Sequence, residues 1–206
     1  MQLSKGLLIA IEGIDGTGKS TQARRLVAAL VKRGYSVALS CEPTGGPHGR
    51  RILEASKSER SLSPREEVDL FIADRKAHIQ ELIKPALKEK EIVVLDRYYF
   101  SSVAYQGVLE GMTPDGVREA NEAFAPEPDL WLIMDTDPAT GLGRVNRRGQ
   151  GTTGFEREEY LEKVAAVFRS LTGPRIRHVD ASASVDDVAG QIEAAVLDLC
   201  EKHGEA

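Results

Sequence analysis

A glycine-rich loop stands between an apolar run and an amphipathic stretch near the start of the chain. The run "LLIAI" is followed by "GIDGTGKS", which fills the pattern G-x-x-x-x-G-K-[ST], and by a helix-like segment at 19–33. Glycines let successive backbone N–H groups point at phosphate oxygens, and the helix dipole adds positive potential at the same point. Strand, loop and helix in this order predict a phosphate-binding loop at the edge of an α/β sheet.

The rest of the chain alternates short apolar runs with amphipathic stretches. The runs in "EIVVLDR" and "LWLIMDT" are unbroken, as expected for strands covered on both faces. We therefore predict an α/β fold with a parallel sheet. The predicted strands are 6–13, 36–42, 91–97, 130–136 and 175–181. The predicted helices are 19–33, 64–90, 101–110, 115–124, 138–148, 156–171 and 184–202.

Length, charge and apolar content limit the class of protein. The 206 residues fit one domain, and the net charge of -5 gives no general attraction to nucleic acid or anionic lipid. The N-terminal apolar run of five residues is shorter than a signal-peptide core (~7–15 residues) or a membrane span (~20 residues). Cys41 and Cys200 form no disulfide or metal-binding pattern. We expect a cytoplasmic protein without membrane or nucleic-acid partners.

The stretch "RRGQGTTG" at 147–154 is polar and glycine-rich, and it interrupts the alternation of apolar runs and amphipathic stretches. A linker between domains is one interpretation. Only about fifty residues follow it, however, which is at the lower limit of the size of a second domain. We therefore expect a single domain over 1–206, with a mobile lid around 144–157.

The loop indicates binding of ATP or GTP together with Mg²⁺. Lys19 is expected to reach the β- and γ-phosphates, and the Ser20 hydroxyl to ligate Mg²⁺. Asp96 ends the apolar run "IVVLD" and offers a second Mg²⁺ ligand at the carboxyl edge of the sheet. Neither an N-K-x-D guanine reader nor an LSGGQ-like stretch occurs, so we expect γ-phosphoryl transfer from ATP to a small acceptor. The loop residues expected to contact ATP are Gly13, Ile14, Asp15, Gly16, Thr17, Gly18, Lys19, Ser20 and Thr21.

Arg97 and one helical stretch have the features of an acceptor site. Arg97 stands one residue past the third strand's acidic end, and its planar guanidinium suits an acceptor phosphate. Phe71 and Arg75 lie one helical turn apart, so that the ring can stack on a base while the arginine donates to ring carbonyls. The alternative for this pair is a core aromatic beside a surface arginine. His78 is expected to be partly exposed and is given no role.

Hydroxyl, aromatic and amide side chains are concentrated in "DRYYFSSVAYQG" at 96–107. Tyr105 is expected to pack on a sugar or base, Gln106 to pair with a polar base edge, and Ser102 to reach ring or phosphate atoms. Ser101 is expected to cap the helix that follows.

Three arginines precede the glycine-rich stretch. Arg144, Arg147 and Arg148 lie at i, i+3 and i+4 and so share one helix face. Phosphoryl transfer needs positive charge at the migrating group and exclusion of water, which predicts a catalytic role for them. The alternative is a solvated basic helix end.

Five segments in this order resemble the thymidylate kinase family over nearly the whole chain: "EGIDGTGKST", "EPTGGPHG", "LFIADRKAH", "DRYYFSSVAYQG" and the arginine-bearing lid. The resemblance implies a P-loop nucleoside monophosphate kinase fold, with five parallel strands flanked by helices on both faces. It also implies phosphoryl transfer from Mg·ATP to dTMP by a homodimer. By position, Phe71 would stack on thymine, Arg75 would donate to its carbonyl, and Arg97 would hold the dTMP phosphate. The other residues implied at the dTMP site are Asp15, at the sugar or phosphate end, and Glu42, Pro43, Ser102, Tyr105 and Gln106.

The sequence departs from the family's pattern at three places. Gly16 stands where some members have a loop arginine, so the chain resembles the bacterial and archaeal-like subgroup whose catalytic arginines come from the lid. Leu53 stands where many bacterial members have an arginine, and either Arg50 or Arg51 is a candidate replacement. The lid's usual arginine–acid pairing is altered in "TTGFEREE" at 152–159. The catalytic residues expected on these grounds are Asp15, Lys19, Arg97, Arg144, Arg147 and Arg148.

Four other functions are considered. The same chemistry could act on another pyrimidine monophosphate, dUMP or UMP, because one methyl group is worth only ~1–3 kcal/mol in an apolar pocket. A nucleoside acceptor is disfavoured by Arg97, which suits a phosphate. A regulatory module that binds ATP without transferring it would not need Asp96 or the lid arginines. A nucleic-acid-dependent ATPase is disfavoured by the acidic balance.

Overall fold

Five parallel strands form the central sheet of the computed structural model, in the order β2-β3-β1-β4-β5. The structure describes residues 3–56, 62–147 and 155–204, with the backbone alone at 146, 147 and 155–157. Every predicted strand is present, and the predicted fold class is confirmed. The strands are β1 (Leu7–Gly13), β2 (Val37–Cys41), β3 (Ile92–Asp96), β4 (Leu130–Asp135) and β5 (Ile176–Asp180).

Helices flank the sheet and agree with the predicted segments apart from three differences. A helix at Pro47–Ala55 was not predicted, the segment at 64–90 is divided, and the helix predicted at 101–110 spans Tyr99–Tyr105 instead. The helices are α1 (Lys19–Lys32), α2 (Pro47–Ala55), α3 (Pro64–His78), α4 (Lys84–Lys88), α5 (Tyr99–Tyr105), α6 (Pro114–Glu122), α7 (Pro138–Arg147), α8 (Phe155–Ser170) and α9 (Val185–Lys202).

The unbroken apolar runs are explained by two cores, one on each face of the sheet. In β1, Leu8 and Ala10 belong to the core that includes residues of α3, α5 and α8. The alternate residues Leu7, Ile9 and Ile11 belong to the core that includes residues of α1 and α9. Because successive strand residues point to opposite faces, a strand covered on both sides must be apolar at every position.

A π-helical turn at Ile79–Ile83 separates α3 from α4. Pro85 has no N–H to donate to the carbonyl four residues earlier, and its ring would clash with that carbonyl in a regular α-helix. The hydrogen-bond ladder widens just before it, where the Lys84 N–H donates to the Ile79 carbonyl. The proline thus accounts for the division of the predicted 64–90 helix.

The strand order determines where the site residues meet. β1 is paired with β3 on one side and β4 on the other, and Ile11 is in register with Asp96. The loop that follows β1 and the residues that end β3 therefore lie at the same carboxyl edge, where open α/β sheets bind ligands. Among the described residues, no helix combines the length and apolar character that crossing a membrane requires.

Candidate active site

The loop between β1 and α1 has the backbone geometry that its glycines permit. Gly13, Gly16 and Gly18 have φ angles of 138°, 85° and 94°, in the left-handed region that favours glycine. Gly18 is the N-cap of α1 and offers no side chain to the first N–H groups of the helix. These N–H groups and the helix dipole are therefore directed at the space where a phosphate would bind.

Lys19 is held inside this loop. Its Nζ donates to the Ile14 carbonyl at 2.8 Å, and only 6% of the residue is exposed. Burial, followed by the nearby Arg97 charge, lowers the pKa of Lys19 to about 7, although three carboxylates oppose the shift. A bound phosphate would add negative charge beside this ammonium group and so favour its protonated form.

Ser20 and Asp96 form a pair of oxygen donors beside Lys19. The Ser20 hydroxyl donates to Oδ2 of Asp96. A hydroxyl and a carboxylate are hard oxygen ligands of the kind that Mg²⁺ takes when phosphates and water complete its octahedron. Among the described side chains there is no cluster of three or more His, Cys, Asp or Glu residues that would form an all-protein metal cage. The donor set thus fits a Mg²⁺ ion that arrives with a nucleotide.

Arg97 connects the end of β3 to the phosphate-binding loop. Its backbone has a φ of 72°, which is unusual for a residue with a side chain. Nη2 donates to Oδ1 of Asp15 at 2.5 Å, and Nη1 donates to the Ser101 hydroxyl at 3.0 Å. The guanidinium carbon lies 5.1 Å from the centre of the Tyr105 ring. Tyr105 in turn accepts the Asp15 N–H at its hydroxyl, at 3.0 Å.

Glu12 is a functional candidate that the sequence analysis missed. It is fully buried at the end of β1, where its Oε1 accepts the N–H groups of Tyr98 and Ser101 at 2.9 and 3.1 Å. Its Oε2 accepts the Ser101 hydroxyl at 2.5 Å. Burial raises the pKa of Glu12 to about 7, against the lowering effect of these hydrogen bonds and of Arg97. Glu12 therefore fixes Arg97 indirectly, through Ser101.

The prediction that Ser101 caps a helix is wrong. The helix α5 begins at Tyr99, so that Ser101 lies within its first turn. Its hydroxyl is instead shared between Glu12 and Arg97. The helix starts earlier than the sequence suggested because the Glu12 carboxylate satisfies the first N–H groups from outside the segment.

Arg75 lies on α3 and is almost fully buried, at 1% exposure. Its guanidinium contacts Glu42, Ser102 and Asn121. The expectation that His78 is partly exposed is wrong, because only 5% of it is accessible. Its Nδ1 lies 3.0 Å from Oε1 of Glu42, and its Nε2 lies 2.8 Å from the Ser40 hydroxyl. His78 thus supports the carboxylate that pairs with Arg75.

A cavity of about 550 Å³ brings the predicted acceptor residues together. Leu53 also lines it, whereas Arg50 and Arg51, both described and exposed, are not among its lining residues. Gln106, expected to pair with a base, donates from Nε2 to Glu67 at 2.7 Å. All nine residues predicted for the acceptor site line this cavity: Asp15, Glu42, Pro43, Phe71, Arg75, Arg97, Ser102, Tyr105 and Gln106.

The start of α7 packs against the phosphate-binding loop. A Cβ atom on Gly16 would lie 2.1 Å from the Gly141 carbonyl oxygen, so the loop arginine of other family members would not fit here. Nη1 of Arg144 donates to the carbonyls of Ala181 and Gly16, at 3.1 and 3.4 Å. Arg147 lies on the same helix, but its side chain is outside the described part of the chain, as is Arg148 altogether.

These features define a class of protein. A parallel sheet in the order β2-β3-β1-β4-β5, a phosphate-binding loop after β1 and an acceptor cavity beyond β3 are those of a P-loop nucleoside monophosphate kinase.

Comparison with known proteins identifies the family. The model of the Thymidylate kinase family matches residues 11–192. A protein of Xanthomonas campestris pv. campestris (strain B100) named "Thymidylate kinase" is 48% identical over 192 residues, which cover 93% of this chain and 83% of the relative. A protein of the same name from Desulfotalea psychrophila is 42% identical over 200 residues, 97% of this chain and 98% of the relative. The chain belongs to the thymidylate kinase family.

Proposed function

We propose that the chain transfers the γ-phosphoryl group of Mg·ATP to dTMP, giving dTDP and ADP. The observation that carries this proposal is one cavity lined both by Asp15 and Arg97, which contact each other at the phosphate-binding loop, and by Phe71 and Arg75 of α3. This arrangement suits an acceptor with a phosphate at one end and a planar base at the other. Membership of the thymidylate kinase family supports dTMP as that acceptor.

Catalysis in this proposal depends on positioning and charge neutralisation. The loop N–H groups and Lys19 hold the donor phosphates, while Arg97 holds the acceptor phosphate for in-line attack on the γ-phosphorus. Ser20 and Asp96 would bind Mg²⁺, which supplies charge neutralisation at the donor phosphates. No protein nucleophile is needed, because an oxygen of the dTMP phosphate attacks directly.

The lid arginines complete the proposed catalytic set. Arg144 is within hydrogen-bond distance of the Gly16 carbonyl, so that its charge lies beside the loop that would hold the donor phosphates. Roles for Arg147 and Arg148, and the lid around 144–157 itself, stay predictions of the sequence. We assign them the transferred phosphoryl group on the basis of their shared helix face with Arg144.

The base would be read by the side chains of α3 that line the cavity. Phe71 is proposed to stack on thymine and Arg75 to donate to its carbonyl. The side chains proposed to enclose the base and sugar are Glu42, Pro43, Ser102, Tyr105 and Gln106.

We further propose that the chain acts as a single-domain cytoplasmic homodimer that binds small nucleotides and not nucleic acid. The family resemblance supports the dimer, and the net charge of -5 supports the absence of a nucleic-acid partner. The exposed thiol of Cys41 fits a reducing compartment. Sedimentation of the purified chain measures its oligomeric state, and a monomer at all concentrations would contradict the dimer.

The test is a coupled ADP-release assay with Mg·ATP and dTMP, dUMP, UMP, dCMP, dGMP or thymidine as acceptor. The expected result is a preference for dTMP. Preference for dUMP or UMP would retain the mechanism and overturn the acceptor. Turnover with thymidine would contradict the phosphate-holding role of Arg97. No transfer to any acceptor would favour a module that binds ATP without transferring it.

A further inference from the structure

The bonds to Glu42 do not by themselves fix the orientation of the Arg75 guanidinium. Its Nε and Nη2 both contact the same carboxylate oxygen, Oε2, at 2.8 and 2.7 Å. The other oxygen, Oε1, is engaged by His78. A fork that uses both carboxylate oxygens would fix the plane of the arginine, whereas two donors on one oxygen leave a hinge at that atom. A second anchor is therefore needed to hold the far end of the guanidinium.

Asn121 supplies that anchor from α6. It is fully buried, and its Oδ1 accepts a hydrogen bond from Nη1 of Arg75. Its Nδ2 donates to the Val117 carbonyl at 2.7 Å, which orients the amide so that its oxygen faces the arginine. Ser102 accepts from Nη2 at 3.0 Å and closes the near side. Asn121 is not among the described residues that line the cavity, so it acts through Arg75 and not on a ligand.

The donor count leaves Arg75 with one hydrogen for a ligand. A guanidinium carries five N–H donors in a rigid plane. In the described structure, Nε and Nη2 bond to Glu42, Nη2 also bonds to Ser102, and Nη1 bonds to Asn121. These contacts engage four hydrogens and leave one on Nη1, in a residue that lines the cavity.

We propose that Asn121 is a positioning residue that fixes this remaining Nη1 hydrogen, and that its rigidity makes the site select 4-oxo pyrimidines over 4-amino pyrimidines. The inference rests on the proposed function, because it takes the base to lie against Arg75. A carbonyl oxygen at the 4 position accepts the hydrogen. The 4-amino group of cytosine would instead place its N–H against the Nη1 hydrogen of Arg75. Two donors would then face each other, and the buried Arg75 donor would stay unpaired. If the guanidinium could pivot at Glu42, it would turn away from the amino group and the discrimination would fall.

The test compares kcat/KM for dTMP and dCMP, with Mg·ATP, in the wild-type chain and two variants of similar size. Asn121→Leu removes the acceptor oxygen. Asn121→Asp loses the Nδ2 donation to the Val117 carbonyl but keeps an oxygen that binds Nη1 through a charge-assisted hydrogen bond. We expect Asn121→Leu to reduce the preference for dTMP over dCMP about tenfold, mainly through a lower KM for dCMP, because the guanidinium can then turn away from the amino group. We expect Asn121→Asp to keep the preference within about twofold, and KM for ATP to stay constant in both. Glu119→Gln, exposed on the same helix, is the matched control.

One result would overturn the inference: an unchanged ratio of kcat/KM for dTMP to kcat/KM for dCMP in Asn121→Leu. The ratio stays unchanged if neither value moves, and also if both fall equally, as a merely structural role would give. If Asn121→Leu does not fold, Asn121→Ser replaces it, because its shorter side chain cannot reach Nη1. Asn121→Ser must then show the same reduced preference for dTMP over dCMP. Wild-type chain that fails to phosphorylate dTMP would refute the proposed function itself, whereas active wild type with an insensitive variant refutes only the role of Asn121.

Discussion

Arg97 donates from Nη2 to Oδ1 of Asp15 at 2.5 Å and thereby joins the end of β3 to the phosphate-binding loop. Asp15 is also contacted at its N–H by the Tyr105 hydroxyl, so loop, arginine and aromatic ring form one unit. A phosphate held by Arg97 would lie next to the loop that is proposed to hold the donor phosphates. This proximity is what in-line transfer between two phosphates requires.

Replacing Arg97 by alanine is expected to lower kcat/KM for dTMP by about a hundredfold or more, because the acceptor phosphate loses its charged fork. Steady-state kinetics measure this loss. Stabilisation of the variant by ATP in thermal unfolding should persist, since Lys19 and the loop are intact. Arg118→Ala, which removes an exposed arginine on α6, is the control. Near-normal turnover of dTMP by Arg97→Ala would refute the assigned role.

Glu12 is expected to make stability depend on pH. Its pKa is raised from 4.5 to about 7, so the folded chain keeps a proton that the unfolded chain has lost. The resulting stabilisation is complete below about pH 4.5 and is lost as the pH rises through about 7. The maximum effect is about 3 kcal/mol of unfolding free energy. Glu12→Gln cannot titrate, so wild type should lose stability relative to this variant over that range.

Urea unfolding of both chains at about pH 4.5 and about pH 8 measures the difference. If the free energy of unfolding changed with pH equally in wild type and Glu12→Gln, the raised pKa of Glu12 would be contradicted. The variant also tests the link from Glu12 through Ser101 to Arg97. Weaker dTMP binding with unchanged thymidine binding is the expected sign of a displaced Arg97, because only dTMP carries the phosphate that Arg97 is proposed to hold.

The sequence predicted those parts of the site that have local patterns. The loop "GIDGTGKS" and the apolar runs located the sheet, its carboxyl edge and the nucleotide end. Residue patterns predicted six of the nine acceptor residues, and the family resemblance added Asp15, Glu42 and Pro43. The structure brings all nine into one cavity. A motif can be recognised in a single sequence because its residues are close together along the chain.

The residues that were missed act through contacts between distant segments. Glu12 contacts Ser101 across 89 positions, and Arg75 contacts Asn121 across 46. Nothing in the local sequence around Glu12, Asn121 or His78 shows that tertiary packing will bury them and pair them. The helix α2 was missed for a related reason, since only Gly49 and Ile52 within it are buried and no apolar stripe results.

The contact between Gly16 and α7 is expected to make Gly16→Ala more destabilising than Gly18→Ala. Both glycines have positive φ, 85° and 94°, so each substitution incurs a similar backbone strain of about 1 kcal/mol. A Cβ on Gly16 would meet the Gly141 carbonyl oxygen at 2.1 Å, whereas one on Gly18 would have no atom within 4 Å. We expect an additional loss of about 1–3 kcal/mol for Gly16→Ala. Urea unfolding compares the pair, and equal losses would show that the contact does not constrain the loop.

Asp96→Asn is expected to raise the Mg²⁺ concentration needed for half-maximal activity by about tenfold or more. The carboxamide keeps the shape of the side chain but removes the charge that a divalent cation requires. Ser20→Ala should act in the same direction, because the Ser20 hydroxyl is the other proposed ligand and already lies against Asp96. Initial rates measured against Mg²⁺ at constant ATP and dTMP give the comparison. Asp198→Asn, exposed on α9, is the control for loss of a carboxylate. If Asp96→Asn kept the wild-type Mg²⁺ dependence and lost only overall rate, the carboxylate would be acting on Ser20 and the loop instead of on the ion.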